Sequence, residues 1–437
     1  MTTSFTRSEL LQPLPPPASL VGPWGWVRAN LLSSPLQALL TVVGAYIAVT
    51  LLWTFIDFTI IRAVWTGADR DACLDEKVGR SVGACWPFVW AKFGQFMYGF
   101  YPVDERWRVN LTYAVAVALL VPLLIPAVPQ KPLNAVLFFG AFPILAFNLL
   151  YGGSLINPWL SVVGWLAILG GITLVVGYLM SRVEGPPNML FLKWGGAAIA
   201  VGILLLLLVR TGIFAVPRLP VVETRQWGGL LVTLVVATTG IVAALPIGVA
   251  LALGRRSKMP IIRLLSVAVI ELVRGVPLIT VLFFATYMLP LFLERSPDAM
   301  VRVLVGVSIF SGAYMAETIR GGLQAIPKGQ FEGAMALGLN YPRMMSLIIM
   351  PQALKLVIPG IVNAFIGLFK DTTLVSIVAI FDLLGGIRAG FTDPQWASPV
   401  TLYTGFAFAG IIYFAFCYFM SRYSIFVENR LNTGRRR

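Results

Sequence analysis

What most constrains this chain is a succession of apolar runs of about 20 residues in which polar and apolar positions do not alternate. As a helix, a run of that length matches the hydrocarbon thickness of a bilayer. Backbone N–H and C=O groups find no water there, so each segment must satisfy its own hydrogen bonds. Continuous rather than alternating hydrophobicity then selects helices over a barrel. The composition agrees, since 58% hydrophobic and 12% charged residues lie outside the range of soluble domains. The chain reads as an all-α polytopic membrane protein.

Residues 1–35 are Pro-rich and polar, and no packed fold is expected of them. The apolar run 36–56 is longer than a signal-peptide core and lacks a small-residue cleavage site, so it is read as a retained span. A loop follows over 57–110, with Cys73 and Cys85 in its first half and aromatics from Trp86 to Tyr101 in its second. Trp and Tyr favour the headgroup level, so an interfacial helix is expected there in preference to a docking surface. Spans are expected near 110–128, 132–151, 159–180 and 190–213. With almost no interior charge, these four read as scaffold or lipid-facing helices. Five more are expected near 226–253, 264–290, 300–318, 346–368 and 401–420, which makes about ten in all.

The basic clusters orient this count. Arg255-Arg256-Ser257-Lys258, the loop carrying Arg320, Lys328 and Arg343, and the tail Arg435-Arg436-Arg437 all fall on one side, which the positive-inside rule makes cytoplasmic. Both termini are then inside, and the Cys73–Cys85 loop lies in the oxidising periplasm, where a disulfide is chemically allowed. The net charge of +14 is assigned to topology and anionic lipid headgroups rather than to nucleic acid. The chain has no histidine, which excludes histidine catalysis and histidine metal ligation; Cys417 reads as a small core residue within a span.

The stretch Phe331–Pro359 departs from the pattern of spans. A short helix over 328–340, carrying Phe331, Ala334, Met335 and Leu337, is broken by Gly338-Leu339-Asn340-Tyr341-Pro342 before the next apolar run. Glu332-Gly333-Ala334, Gly338, Ile348, Met350 and Pro351 resemble the EAA loop, E-A-A-x3-G-x9-I-x-L-P, of bacterial ATP-binding-cassette importer permeases. Gly333 stands for the middle Ala and Met350 for Leu, both mild departures. The sequences Glu271-Leu272-Val273-Arg274-Gly275-Val276-Pro277-Leu278 and Phe369-Lys370-Asp371-Thr372-Thr373-Leu374 are similar to the polar amino-acid branch of that family. The resemblance covers roughly 225–425, and the whole chain looks like the longer general amino-acid subunits with extra N-terminal helices.

The resemblance implies a type I importer permease core over 225–425, an accessory membrane region over 36–215 and a basic cytoplasmic tail over 426–437. It also implies a periplasmic amino-acid-binding protein, a pair of separate ATPase subunits carrying ATP and magnesium, and a second permease, usually a related but different chain. No P-loop occurs in this sequence, so ATP hydrolysis belongs to another subunit and this chain is not expected to be an enzyme or to hold a cofactor. By the same resemblance Glu332, Gly333, Ala334, Gly338 and Pro351 belong to the ATPase-coupling loop. Gly333 and Gly338 permit close approach and a sharp exit, Glu332 near the helix start suits the positive helix end, and Ala334, Met335 and Leu337 offer apolar contact.

For the pathway, two readings stand at each candidate. Glu271 and Arg274, one turn apart, are either a pathway or gate pair or a tie at the membrane edge, and Gly275 and Pro277 are expected to kink or unwind the helix after them. Lys370, Asp371 and Thr372 either contact substrate or a partner outside or end one helix and cap the next. Glu317 and Arg320 form either a helix-end ion pair or part of a gate. The rival class is an ion-gradient-driven secondary amino-acid transporter. It calls for mid-membrane carboxylates and an internal repeat, and neither is visible.

Overall fold

The computed structural model describes residues 22–153, 196, 200, 203–204 and 219–431. Seven helices among the described residues are long and apolar enough to cross a membrane, or eight when one bent pair is taken as a single span. They coincide with eight of the expected spans. The other two, 159–180 and 190–213, lie outside the described residues, as do 1–21 and 432–437. Within the expected N-terminal tail, Gly22–Asn30 form a short helix.

The described residues divide into two compact units at Pro87. The first holds α1 (Pro35–Ile56), whose N-cap is Ser34 and in which no residue is buried. An apolar helix without a buried face is offered to lipid or to another chain. The loop after α1 is a built structure. Cys73 and Cys85 form a disulfide with Cα atoms 5.7 Å apart, Asp57 pairs with Arg62 at 2.6 Å, and Trp65 stacks on Trp86 at 5.7 Å.

The second unit begins at Phe88, within α2 (Trp86–Tyr98), and continues with α3 (Arg106–Leu124) and α4 (Lys131–Tyr151). Here one expectation changes. Phe88, Val89 and Phe96 of α2 are buried in protein rather than held at the headgroup level. Phe96 lies 5.8 Å from Phe408 and Phe88 lies 6.3 Å from Trp396, while Trp90 remains exposed. Aromatic composition alone does not distinguish lipid from the close, ring-on-ring environment of a protein interior.

The remainder is α5 (Gly229–Arg255), α6 (Pro260–Gly275), α7 (Leu278–Phe292), α8 (Ala299–Gln324), α9 (Lys328–Ala336), α10 (Tyr341–Val378), α11 (Leu383–Phe391) and α12 (Thr401–Leu431). The expected span 264–290 is broken. α6 and α7 meet at a bend of 105°, and Val276 between them is extended, the conformation the following Pro277 imposes. α5 and α8 pack closely because a glycine on each helix receives a larger side chain of the other, Gly248 facing Met315 and Gly312 facing Ile247. A Cβ on Gly248 would meet Met315 Cγ at 2.6 Å. One apolar cluster gathers at the Trp227 end of α5 and a second at its Arg255 end, the latter running through Ile270, Ile319, Leu323 and Ile349.

α3 and the end of α4 are joined to the lead-in of α5 by a polar knot. Arg108 of α3 is completely buried, donates from Nη1 and Nη2 to Pro220 O at 3.1 Å, and pairs with Glu105 at 2.9 Å. Tyr101 Oη donates to Leu150 O at 2.8 Å and Val222 N to Tyr151 O at 2.9 Å.

Candidate functional site

The loop singled out in the sequence is α9 and the turn after it. α9 closes with Gly338 at φ +71°, where Leu339 N donates to Ala334 O at 3.2 Å and Gly338 N to Met335 O at 2.9 Å. This is the left-handed helix stop that glycine favours. Asn340 Oδ1 then accepts from Arg343 N at 3.2 Å and starts the next helix. The sharp exit expected at Gly338 is therefore present, and its cause is conformational. Gly333 has ordinary φ and open space around it, so the fold does not require glycine there.

Two residues take different roles from those expected. Ala334 is 2% exposed and packs with Met344, Met345, Ile349 and Ala353, so its methyl faces the helical core and is not offered outward. Glu332 lies beyond the first turn, because the helix begins at Lys328; the positive helix end does not act on it. The outward surface is Glu332, Gly333, Met335, Ala336, Leu337 and Gly338, with Pro351 exposed nearby. The inner side of α9 is anchored at several points. Arg256 lies over the Phe331 ring at 5.5 Å, and Gln352 Nε2 donates to Gln330 Oε1 at 3.1 Å. These contacts tie α9 to the residue that closes α5 and to α10.

Beside this loop lies a five-residue charge cluster that one-helix spacing did not reveal. Glu271 and Arg274 do not pair with each other. Glu271 Oε1 pairs with Arg255 Nη1 at 2.8 Å, and Arg274 Nη1 turns to Glu317 Oε2 at 3.6 Å, with its guanidinium over the Tyr314 ring at 5.4 Å. Glu317 is the hub. It also takes Arg255 at 3.0 Å and Arg320 at 2.7 Å, so its i,i+3 pair with Arg320 does form. The reason is exposure: the Glu317 side chain is 15% exposed against 56% for Glu271, and ion pairing is stronger where water is scarce. The cluster fastens α5, α6 and α8 together. Arg255, read from sequence only as a topology signal, is its cross-link.

At the other end of the core, α10 continues past Lys370 and Asp371 as a tighter helix to Val378. Neither Asp371 nor Thr372 caps it. Thr372 Oγ1 donates back to Phe369 O at 2.8 Å. The capping carboxylate is Asp382, at the start of α11, which sequence reading passed over although Asp before an apolar turn is a helix-start signal. Its carboxylate accepts from Gly385 N at 2.9 Å and Leu384 N at 3.2 Å, and Tyr413 Oη donates to it at 3.4 Å. Burial raises its pKa to about 6, with the two backbone donors and Tyr413 opposing. Nearby, Lys92 pairs with Asp393 and holds that carboxyl below its usual range.

The sign of the Asp382 effect follows. A carboxyl whose native pKa is raised binds a proton between about pH 4 and pH 6 that the unfolded chain does not, so its contribution grows as pH falls through that window. Asp382→Asn is expected to be more thermostable than the parent in detergent at pH 7.5, by about 2–3 kcal/mol at most, and to keep only about half of that advantage at pH 5. Parallel unfolding curves of the two proteins at both pH values check this; a constant difference would show that the carboxyl is not protonated in that range.

Among the described residues no group of three or more His, Cys, Asp or Glu side chains is placed to hold a metal.

A family profile described as "Binding-protein-dependent transport system inner membrane component" matches residues 244–432. The chain is 41% identical over 94% of its length to the "Inner membrane amino-acid ABC transporter permease protein YhdY" of Escherichia coli (strain K12), covering 93% of that protein. It is 42% identical over 99% of its length to the "Glutamate/glutamine/aspartate/asparagine transport system permease protein BztC" of Rhodobacter capsulatus, covering 99% of it. A shorter relative, the "Probable glutamine ABC transporter permease protein GlnP" of Bacillus subtilis (strain 168), is 35% identical over 45% of this chain and 88% of its own. The rival secondary-transporter class is thereby set aside, and ATP hydrolysis is the work of a separate subunit. Near-full-length identity, together with the inner-membrane transport profile, places this chain in the family of amino-acid ABC transporter permeases, multi-pass inner-membrane subunits of binding-protein-dependent importers.

Proposed function

We propose that this chain moves amino acids inward as one half of a translocation pathway and is driven through α9, which seats in a groove of a partner ATPase. The observation that carries this reading is the division of α9 into two faces. Ala334 and Phe331 hold it to the permease, while Glu332, Met335 and Leu337 are left exposed between two spans. Exposed Met and Leu on a short, rigid helix suit helix-in-groove docking. Amino-acid cargo is supported by the names of the full-length relatives, one of which specifies glutamate, glutamine, aspartate and asparagine.

In this reading α9, the Arg255–Glu317 cluster and both termini face the cytoplasm, and the Cys73–Cys85 loop faces the periplasm, where a binding protein delivers the substrate. The second half of the pathway is a related but different chain. Residues 36–215 form the accessory region, 225–425 the permease core and 426–437 a cytoplasmic tail, with anionic lipid at the basic loops. The test is purification of the tagged chain from native membranes with its associated subunits, followed by an ATPase assay. Hydrolysis stimulated by an amino-acid-loaded binding protein is expected. A chain that purifies alone and transports in liposomes on an ion gradient would overturn the reading.

A further inference from the structure

α10 leaves a polar stripe exposed along its length, whereas α6 exposes charge toward its two ends, at Arg263, Glu271 and Arg274. On α12 the exposed positions include Ile411, Phe414 and Phe419, and on α6 they include Ile261, Leu264 and Leu272. These are faces that lipid or another apolar chain can cover. Between Met350 and Asp371 of α10 the exposed positions are Pro351, Lys355, Leu356, Asn363 and Lys370. Three of these are polar, on a helix that otherwise passes as a membrane span. At 3.6 residues per turn Lys355, Asn363 and Lys370 fall within an arc of about 80°, and they extend over about 22 Å along the axis. Among the described residues the ammonium group of neither lysine has a hydrogen bond or ion pair, although Asp371 adjoins Lys370. An unpaired ammonium facing hydrocarbon is costly, so this stripe needs water or a polar ligand against it.

We propose that Lys355, Asn363 and Lys370 form a water-facing track along α10 that conducts substrate carboxylates across the membrane. The track deepens the importer reading and rests on it for the identity of the cargo. Two ammonium groups bracket an amide that can both donate and accept. Such a lining attracts α-carboxylates and side-chain carboxylates and repels cationic side chains. The Arg255–Glu317 cluster, with three arginines and two glutamates, continues the same positive sign at the α9 end of the core. Acidic and neutral amino acids are therefore the class the track suits, and lysine or arginine the class it disfavours.

The test is thiol labelling of the complete transporter in proteoliposomes, in a Cys417→Ser background. Cys73 and Cys85 are joined to each other and so do not compete. Single variants Lys355→Cys, Asn363→Cys and Lys370→Cys are compared with Leu264→Cys and Phe419→Cys on the exposed apolar faces. The probes are the anionic sulfonatoethyl and the cationic trimethylammonium-ethyl methanethiosulfonates. Because the thiolate forms only where water reaches it, the three track positions are expected to react at least about tenfold faster than the two controls. At Asn363→Cys, flanked by both lysines, the anionic reagent is expected to be the faster. Track positions reacting no faster than the controls would overturn the proposal, since protein or lipid then covers the stripe. A faster cationic reagent would overturn its carboxylate preference. Rapid labelling in a transporter that moves no amino acid would support the track and refute the proposed cargo, so the two failures are separable. Leu264→Cys and Asn363→Cys are mild replacements, and their comparison stands even if a lysine variant fails to assemble.

Discussion

Gly338→Val is expected to yield a membrane-inserted permease that recovers little ATPase and shows uptake reduced about tenfold or more, the loss equivalent to about 1.4 kcal/mol of coupling. The argument is conformational. Gly338 sits at φ +71° with no atom near the position its Cβ would take, so a larger side chain meets no clash and only the backbone objects. A β-branched residue in the left-handed region costs about 1–2 kcal/mol, which the chain relieves by shifting the exit of α9. Met335 and Leu337 are then displaced from the groove they would fill. Gly338→Asn supplies the control, because Asn enters that region more readily than other residues with a side chain, and it is expected to keep most of the uptake. Glu332→Arg, on the exposed face, should leave the permease fold intact and weaken ATPase recovery by charge alone. ATPase recovery and uptake both at parental levels in Gly338→Val and Glu332→Arg would remove the coupling role of α9.

The contrast between Gly338 and Ala334 shows how far the sequence could be read. Spans are legible because their length and continuous hydropathy have one physical solution in a bilayer. The break at Gly275-Val276-Pro277 is legible because proline restricts its neighbour whatever surrounds it. Gly338 belongs with them, since a left-handed stop is a local demand. What was hidden depends on contacts between elements. The spacing of Glu332-Gly333-Ala334 locates the loop, but not the face of a nine-residue helix that turns inward. Glu271 and Arg274 look like partners because helix spacing compares residues on one helix only, whereas Arg255 and Glu317 reach them from two others. Asp382 and Arg108 were likewise missed, the first a cap buried against α12 and the second a cation whose acceptor, Pro220 O, lies far along the chain.

The charge cluster allows the sharpest comparison of two carboxylates. Glu317→Gln is expected to destabilise the core by about 1–3 kcal/mol, a figure reduced from that of a fully buried pair because its arginine partners are each partly exposed. It leaves Arg255, Arg274 and Arg320 converging on a neutral amide, with only Glu271 to offset them. Repulsion should then separate α6 from α8 and loosen the frame on which α9 is anchored, so ATP hydrolysis persists while uptake falls. Glu271→Gln removes a carboxylate of the same charge but with a 56% exposed side chain and a single partner, and is expected to change stability by less than about 1 kcal/mol. Thermal unfolding and uptake measured for both variants decide the matter. Equal effects would mean that the cluster is a diffuse patch of charge. A large effect confined to Glu317 would make that carboxylate the clasp joining three helices.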